Sequence, residues 1–150
     1  MAPVTRVTTP SSPRLIYVVK QLELAVRARL DTICRDNGVT TTQYTALSVL
    51  FVKPGMSSAQ LAVRSFMKPQ SAHQTVRELE AKGFIVRVPD EGNRRILRIN
   101  LTTKGRQLLK SCNRAVDQLE AQMFNDFPAA DSLELQRLLS RCLRNLSPSS

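Results

Sequence analysis

Between Ser57 and Leu101 the chain changes its apolar period twice, and that change limits what it can fold into. The stretch reads SSAQLAVRSFMKPQSAHQTVRELEAKGFIVRVPDEGNRRILRINL. Ser57 or Ser58 is a good N-cap, because a hydroxyl accepts from an orphan N–H of a first turn. Leu61, Ala62 and Phe66 follow at helical spacing, so a short helix is expected over about 58–65. Pro69 suits the first turn of a second helix, and Gly83 stops it after a basic last turn. Then the period drops to two. Residues 84–88 and 96–101 are rich in β-branched and apolar side chains, with Leu97, Ile99 and Leu101 alternating against Ile96, Arg98 and Asn100. Asp-Glu-Gly-Asn between them is turn chemistry. The order is helix, turn, helix and hairpin, a known way of gripping a DNA duplex.

The second helix has two unlike faces. Ala72, Val76 and Leu79 recur at i, i+4 and i+7, and with Thr75 they form a stripe to be buried. Gln70, Gln74, Arg77 and Ala81 lie opposite, flanked by Ser71, His73 and Glu78. Long donors and acceptors on an outer face can read base edges in a major groove. Arg94 and Arg95 stand at the end of the hairpin turn, where two guanidinium groups suit a narrow, electronegative minor groove. The candidate DNA contacts are therefore Gln70, Ser71, His73, Gln74, Arg77, Arg94 and Arg95.

Charge placement agrees. The chain of 150 residues carries a formal +10. Residues 53–106 hold 11 Lys or Arg against 4 Asp or Glu, whereas residues 107–150 hold 5 of each. A basic region of this kind attracts phosphate backbones regardless of sequence.

This stretch resembles the MarR family of bacterial winged helix-turn-helix regulators. The resemblance runs through Leu79-Glu80-Ala81-Lys82-Gly83-Phe84-Ile85, Arg87-Val88-Pro89-Asp90, Asn93-Arg94-Arg95 and Leu101-Thr102-Thr103-Lys104-Gly105. It covers roughly residues 15–146 in helix order, with the specific motifs confined to 60–105. The family usually has an acid where Asn93 stands, which helps to hold the wing arginine; Asn93 keeps hydrogen bonding and loses the charge.

The flanks read as helices. Residues 1–12 form a Pro, Thr and Ser tail without periodicity. Leu15, Val19, Leu22, Val26, Leu30 and Ile33 make a long stripe over 13–36, which Asn37-Gly38 ends. A helix capped by Thr40 or Thr41 runs to Val52, with Tyr44, Leu47, Leu50 and Phe51 inward. Thr102 caps another that carries Leu108, Leu109, Cys112, Ala115, Val116, Leu119 and Met123 to about Phe127. A last helix over about 130–146 sets Leu135, Leu138, Leu139, Cys142, Leu143 and Leu146 against Arg137, Arg141 and Arg144. Residues 147–150 are a frayed end. The fold class is mainly α with a small β-hairpin wing, in one domain over 13–146. Its winged helix occupies about 40–101 and its outer helices about 13–36 and 102–146. Those outer stripes exceed what a small winged core can cover, so a second copy of the chain is the natural cover. MarR-like proteins pair these helices into a homodimer on an inverted-repeat operator, which the resemblance implies here.

The resemblance also implies a small aromatic acid or phenol bound among the first, second and fifth helices. Those helices offer Tyr17, Tyr44, Leu47, Ser48, Phe51, Cys112 and Val116, with Arg14 or Lys20 to meet a carboxylate. Catalysis is not expected. His73 is the one histidine, and no nucleophile elbow, phosphate loop or zinc-protease motif occurs. No cofactor or metal is expected, since the three cysteines are far apart and form no CxxC. Cys34, Cys112 and Cys142 read as small buried hydrophobes in a reducing compartment. No run approaches a membrane span and no signal peptide is visible, so the expected compartment is the cytoplasm. Two other readings stay open: a thiol-based redox regulator of the same family, and a winged-helix architectural or protein-interaction module without effector control.

Overall fold

The computed structural model describes residues 12–147. The expected tail over 1–12 and end over 147–150 lie outside it, apart from Ser12 and Ser147. In chain order the elements are α1 (Leu15–Asp36), α2 (Thr41–Val52), α3 (Ser58–Arg64), α4 (Pro69–Ala81), β1 (Ile85–Pro89), β2 (Leu97–Leu101), α5 (Thr103–Met123) and α6 (Ala129–Leu146). The chain divides into two compact units, residues 1–113 and 114–150.

In the first unit the helix starts are set by side chains. Thr40 and Gln43 form a reciprocal capping box at α2, and Ser57 and Gln60 form another at α3. Thr102 Oγ1 accepts from Gly105 N at 3.0 Å and donates to the Gly83 carbonyl at 2.6 Å, joining the start of α5 to the end of α4. Gly83 has φ +77, a left-handed conformation that favours glycine. Gly105 is required for a different reason. A Cβ there would lie 2.1 Å from the Phe84 carbonyl oxygen, so the helix meets the strand through bare backbone.

α2 runs through the middle of this unit, in contact with α1, α3, α4 and β2. Its Ala46, Leu47 and Leu50 join Leu61, Val76, Leu79, Ile85, Ile99, Leu109 and Cys112 in one core. The hairpin is antiparallel, with Ile85 opposite Leu101 and Pro89 opposite Leu97. The Lys53-Pro54-Gly55 break does more than end α2. Met56 bridges Ile99, with Ile99 N donating to the Met56 carbonyl at 2.8 Å, so β2 is paired on both edges.

Three expectations about apolar positions fail. Phe51, expected inward, is 60% exposed. The buried stripe of α2 is centred on Gln43, Ala46, Leu47 and Leu50, and at 100° per residue Phe51 sits roughly a quarter-turn off that centre. Phe66, counted at helical spacing, is 98% exposed. It follows the C-cap Ser65 with φ 53, so its side chain leaves the helical register. Cys142 is exposed, because α6 buries no residue within this chain. α5 also ends four residues earlier than expected, and Phe124 and Phe127 instead pack edge to face at 5.8 Å in the second unit.

The outer helices keep much of their apolar surface uncovered in the chain. Leu15, Ile16, Val19, Leu22 and Leu24 of α1 are exposed, as are Leu133, Leu138, Leu139, Leu143 and Leu146 of α6. No helix among the described residues is long and apolar enough to cross a membrane.

Candidate nucleic-acid interface

α4 has the two faces its sequence requires. Ala72, Thr75, Val76 and Leu79 are buried, and burial of such a stripe fixes the helix against α2 and α3. Gln70, Ser71, His73, Gln74 and Arg77 are all exposed on the other side. His73 Nδ1 lies 3.3 Å from Ser58 Oγ, so this side chain also touches the first turn of α3. Gln74 and Arg77 are not independent. Arg77 Nη2 donates to Gln74 Oε1 at 2.7 Å, and Gln74 Nε2 donates to Glu78 Oε1 at 2.8 Å.

The hairpin is tied to the helix before it. Arg87 on β1 makes a two-pronged pair with Glu80 at the end of α4, at 3.0 and 2.9 Å. That geometry is directional as well as attractive, and the Arg87 hydrogen bonds hold the Glu80 carboxyl below its ordinary range. Lys104 Nζ donates to the Lys82 carbonyl at 2.9 Å and sits 5.1 Å over the Phe84 ring. A cation at a helix C-terminus also complements its dipole.

At the wing tip Asp90 and Asn93 brace the turn. Asp90 Oδ2 accepts from Asn93 N at 3.1 Å, and Asp90 Oδ1 accepts from Arg98 Nε at 3.0 Å. Asn93 Oδ1 accepts from Arg95 N at 3.2 Å, and Arg98 reaches the Gly55 carbonyl at 3.3 Å. The Arg98 bond, with smaller help from the Asn93 and Gly92 amides, holds the Asp90 carboxyl low. Arg94 and Arg95 are exposed on this braced turn. Both arginines were candidates from the sequence. The sequence did not identify Asp90 and Arg98 as their support, because that pairing spans the hairpin.

The expected ligand residues do not gather in one place. Leu47 and Cys112 are in the core. Tyr44 and Ser48 line an open groove of about 430 Å³ with Thr45, Val49, Val52, Lys53 and Arg64. Tyr44 Oη donates to Asn113 Oδ1 at 2.7 Å. Arg14, Tyr17 and Phe51 are exposed and do not line that groove. Val116 is half-buried and belongs to the second unit. The cations at this groove are Lys53 and Arg64. Burial pushes the Cys34 thiol up and the Cys112 thiol up to about 11, so neither offers much thiolate at neutral pH.

A short helix, a tight turn, a two-faced helix and a hairpin tipped with arginine define a winged helix-turn-helix DNA-binding regulator. A model of the MarR family matches residues 37–96. A putative transcriptional regulatory protein for the hcr operon of Thauera aromatica is 32% identical over 120 residues, covering 80% of this chain and 72% of that protein. The HTH-type transcriptional repressor Rv2887 of Mycobacterium tuberculosis is 27% identical over 125 residues, covering 83% of this chain and 90% of the repressor. The solved complex of Rv2887 with DNA superposes with a TM-score of 0.74 at 26% identity, over 87% of this chain and 98% of that one. Its salicylic acid complex gives 0.69 at 26% identity, over 89% and 99%. The chain belongs to the MarR family of transcriptional regulators.

Proposed function

We propose that the protein is a homodimeric repressor that binds an inverted-repeat operator and releases it when a small aromatic acid or phenol binds. The observation that carries this reading is the α4 face. It is a row of exposed donors and acceptors over a fully buried stripe, joined by the Arg87–Glu80 pair to a hairpin ending in Arg94 and Arg95. Gln70, Ser71, His73, Gln74 and Arg77 contact the major groove, and Arg94 and Arg95 reach the flanking minor groove. α1, α5 and α6 form the dimerisation base, a reading supported by the uncovered leucines of α1 and α6, and 40–101 is the DNA-reading part. Two copies then set two α4 helices about one helical turn of DNA apart. The work is done in the cytoplasm, without catalysis or a cofactor.

The ligand part rests on less: the groove with Tyr44, Ser48, Lys53 and Arg64, and the salicylic acid complex of Rv2887. A phenol ring fits against Tyr44, and a carboxylate pairs with the two cations.

Selection of bound duplexes from random DNA tests the main reading. An enriched short inverted repeat supports it, and binding no better than to bulk duplex overturns it. Calorimetric titration with salicylate, with and without the selected operator, tests the effector. Operator should weaken salicylate binding by about 5–150-fold, and salicylate should weaken operator binding by the same factor. Equal affinities would remove the effector role.

A further inference from the structure

We propose that Gln43, a buried side chain on α2 outside the DNA face, is a specificity-determining positioning residue that fixes which way round Gln74 presents its amide to a base. The inference rests on the reading that the exposed face of α4 meets DNA.

Gln43 is 2% exposed, so its amide must be satisfied within the protein. Its Oε1 accepts from Thr40 N at 3.1 Å and from Lys82 Nζ at 3.0 Å. A backbone N–H and an ammonium can only donate, so the amide has one possible orientation. Its Nε2 is left to donate to Glu78 Oε2, at 2.7 Å. Lys82 is itself anchored on the Gly38 carbonyl at 3.0 Å. The ionised Glu78 carboxylate can only accept, and its other oxygen takes Gln74 Nε2 at 2.8 Å. That fixes the second amide too. Gln74 Oε1 must point away from Glu78, and there it accepts from Arg77 Nη2 at 2.7 Å. The Gln74 and Gln43 hydrogen bonds both hold the Glu78 carboxyl below its ordinary range, so the acceptor-only state persists at neutral pH.

The polarity of each link therefore passes from α2 to the two side chains nearest the bases. A base edge distinguishes a donor from an acceptor at a given place. Gln74 spends one N–H on Glu78 and one acceptor site on Arg77, and its remaining N–H and lone pair face outward in a set order. Reversing that order changes the preferred base without removing any side chain that touches DNA.

Three variants separate this from a structural role. In Glu78→Gln the new amide takes the Gln43 proton on its oxygen and must offer N–H to residue 74. Gln74 then turns over and loses its acceptor for Arg77. In Gln43→Glu the capping box survives, since Thr40 N and Lys82 still find an oxygen, but two carboxylates now face each other. In the double variant Gln43→Glu/Glu78→Gln the direction of one bond reverses, and the amide introduced at position 78 can again accept from Gln74. The measurement is the affinity ratio between the selected operator and operators substituted at the base pair where Gln74→Ala loses discrimination. Each single variant should shift that ratio by roughly 5–150-fold, the range of one bidentate base contact. The double variant should return it to within about threefold of the parent, whatever the variants do to melting temperature. Lys82→Met, at the surface, removes one of the two donors that orient the Gln43 amide and should give a smaller shift of the same ratio. Parental ratios in Glu78→Gln, or a double variant that stays at the shifted ratio, overturn the inference. If Arg77→Ala and Gln74→Ala leave discrimination unchanged at every base pair, the DNA-face reading has failed, and the inference falls with it.

Discussion

α4 and α6 have similar amphipathic patterns and opposite fates. Both set an apolar stripe against a polar face. α4 buries Ala72, Thr75, Val76 and Leu79 against its own chain, whereas α6 buries nothing and leaves Leu133, Leu143 and Leu146 more than 60% exposed. A pattern states that a face must be covered. It does not state by what. For α4 the cover is intramolecular, so its outer face is free for a ligand. For α6 the chain supplies no such cover, and the proposed homodimer would supply it.

The largest expected effect breaks that contrast at α6. In a two-fold interface each substitution is present twice. Leu143→Asp should remove about 1.5–3 kcal/mol of leucine burial per copy, before any cost of placing a carboxylate there. Light scattering should then show a species near 16.8 kDa at micromolar concentration, while the parent runs at twice that mass. A variant that still runs as a dimer would place the interface elsewhere. The matching test at α4 is Leu79→Ala, which empties a fully buried site. Denaturant unfolding should show a loss of about 2–5 kcal/mol, and an unchanged midpoint would mean the stripe is not what holds α4.

The outer face of α4 comes next. Arg77→Ala should cost about 1–3 kcal/mol of operator binding and relax discrimination at one base pair, whereas Arg94→Ala should weaken all duplexes more evenly and lower the salt slope by about one. Competition binding at two salt concentrations separates the two outcomes. If both variants lose affinity alike on operator and random DNA, α4 does not read bases.

The smallest effect uses the thiols. Cys34 and Cys112 belong to the covered side of the comparison, and Cys142 to the uncovered one. A thiol reagent at neutral pH should leave the first two unmodified in the parent and in Leu143→Asp, and should label Cys142 faster in the variant. Fold stability should also fall in alkali. The Cys112 pKa is raised by burial to about 11 from 9.0, so its contribution is complete below about pH 9 and is lost as pH rises through 11. Equal labelling of Cys142 in both proteins would show that nothing covers it in the assembly.

How much of this was legible in the sequence follows the same division. Local rules act within one turn, and they offered Thr40 or Thr41, Ser57 or Ser58, Gly83 and Thr102 as caps and stops, of which the structure uses Thr40 and Ser57 at the open choices. The stripe of α4 was legible for the same reason. Phe51 and Phe66 were misjudged because periodicity does not fix where cover ends or where a backbone turns to positive φ. The candidate DNA residues were legible one at a time. Their supports were not, since Gln43 and Glu78 stand 35 positions apart and Asp90 meets Arg98 across a hairpin. The groove beside Tyr44 was not legible as a whole, because Arg64 joins it only once α2 and α3 have packed.

The glycine at position 105 has a mechanical consequence. Thr102 N donates to the Phe84 carbonyl at 3.0 Å, Thr102 Oγ1 holds the Gly83 carbonyl, and Gly105 lets α5 lie directly on Phe84. Three elements are thus fused at one knot: the exit of α4, the root of the hairpin and the first turn of α5. A torque applied to the start of α5 would meet the chain before β1 through backbone at Gly105, where no Cβ keeps the two apart. That contact lies at the base of the wing, next to β1. Any bulkier residue at 105 would act as a shim, prising the lever from the part it moves.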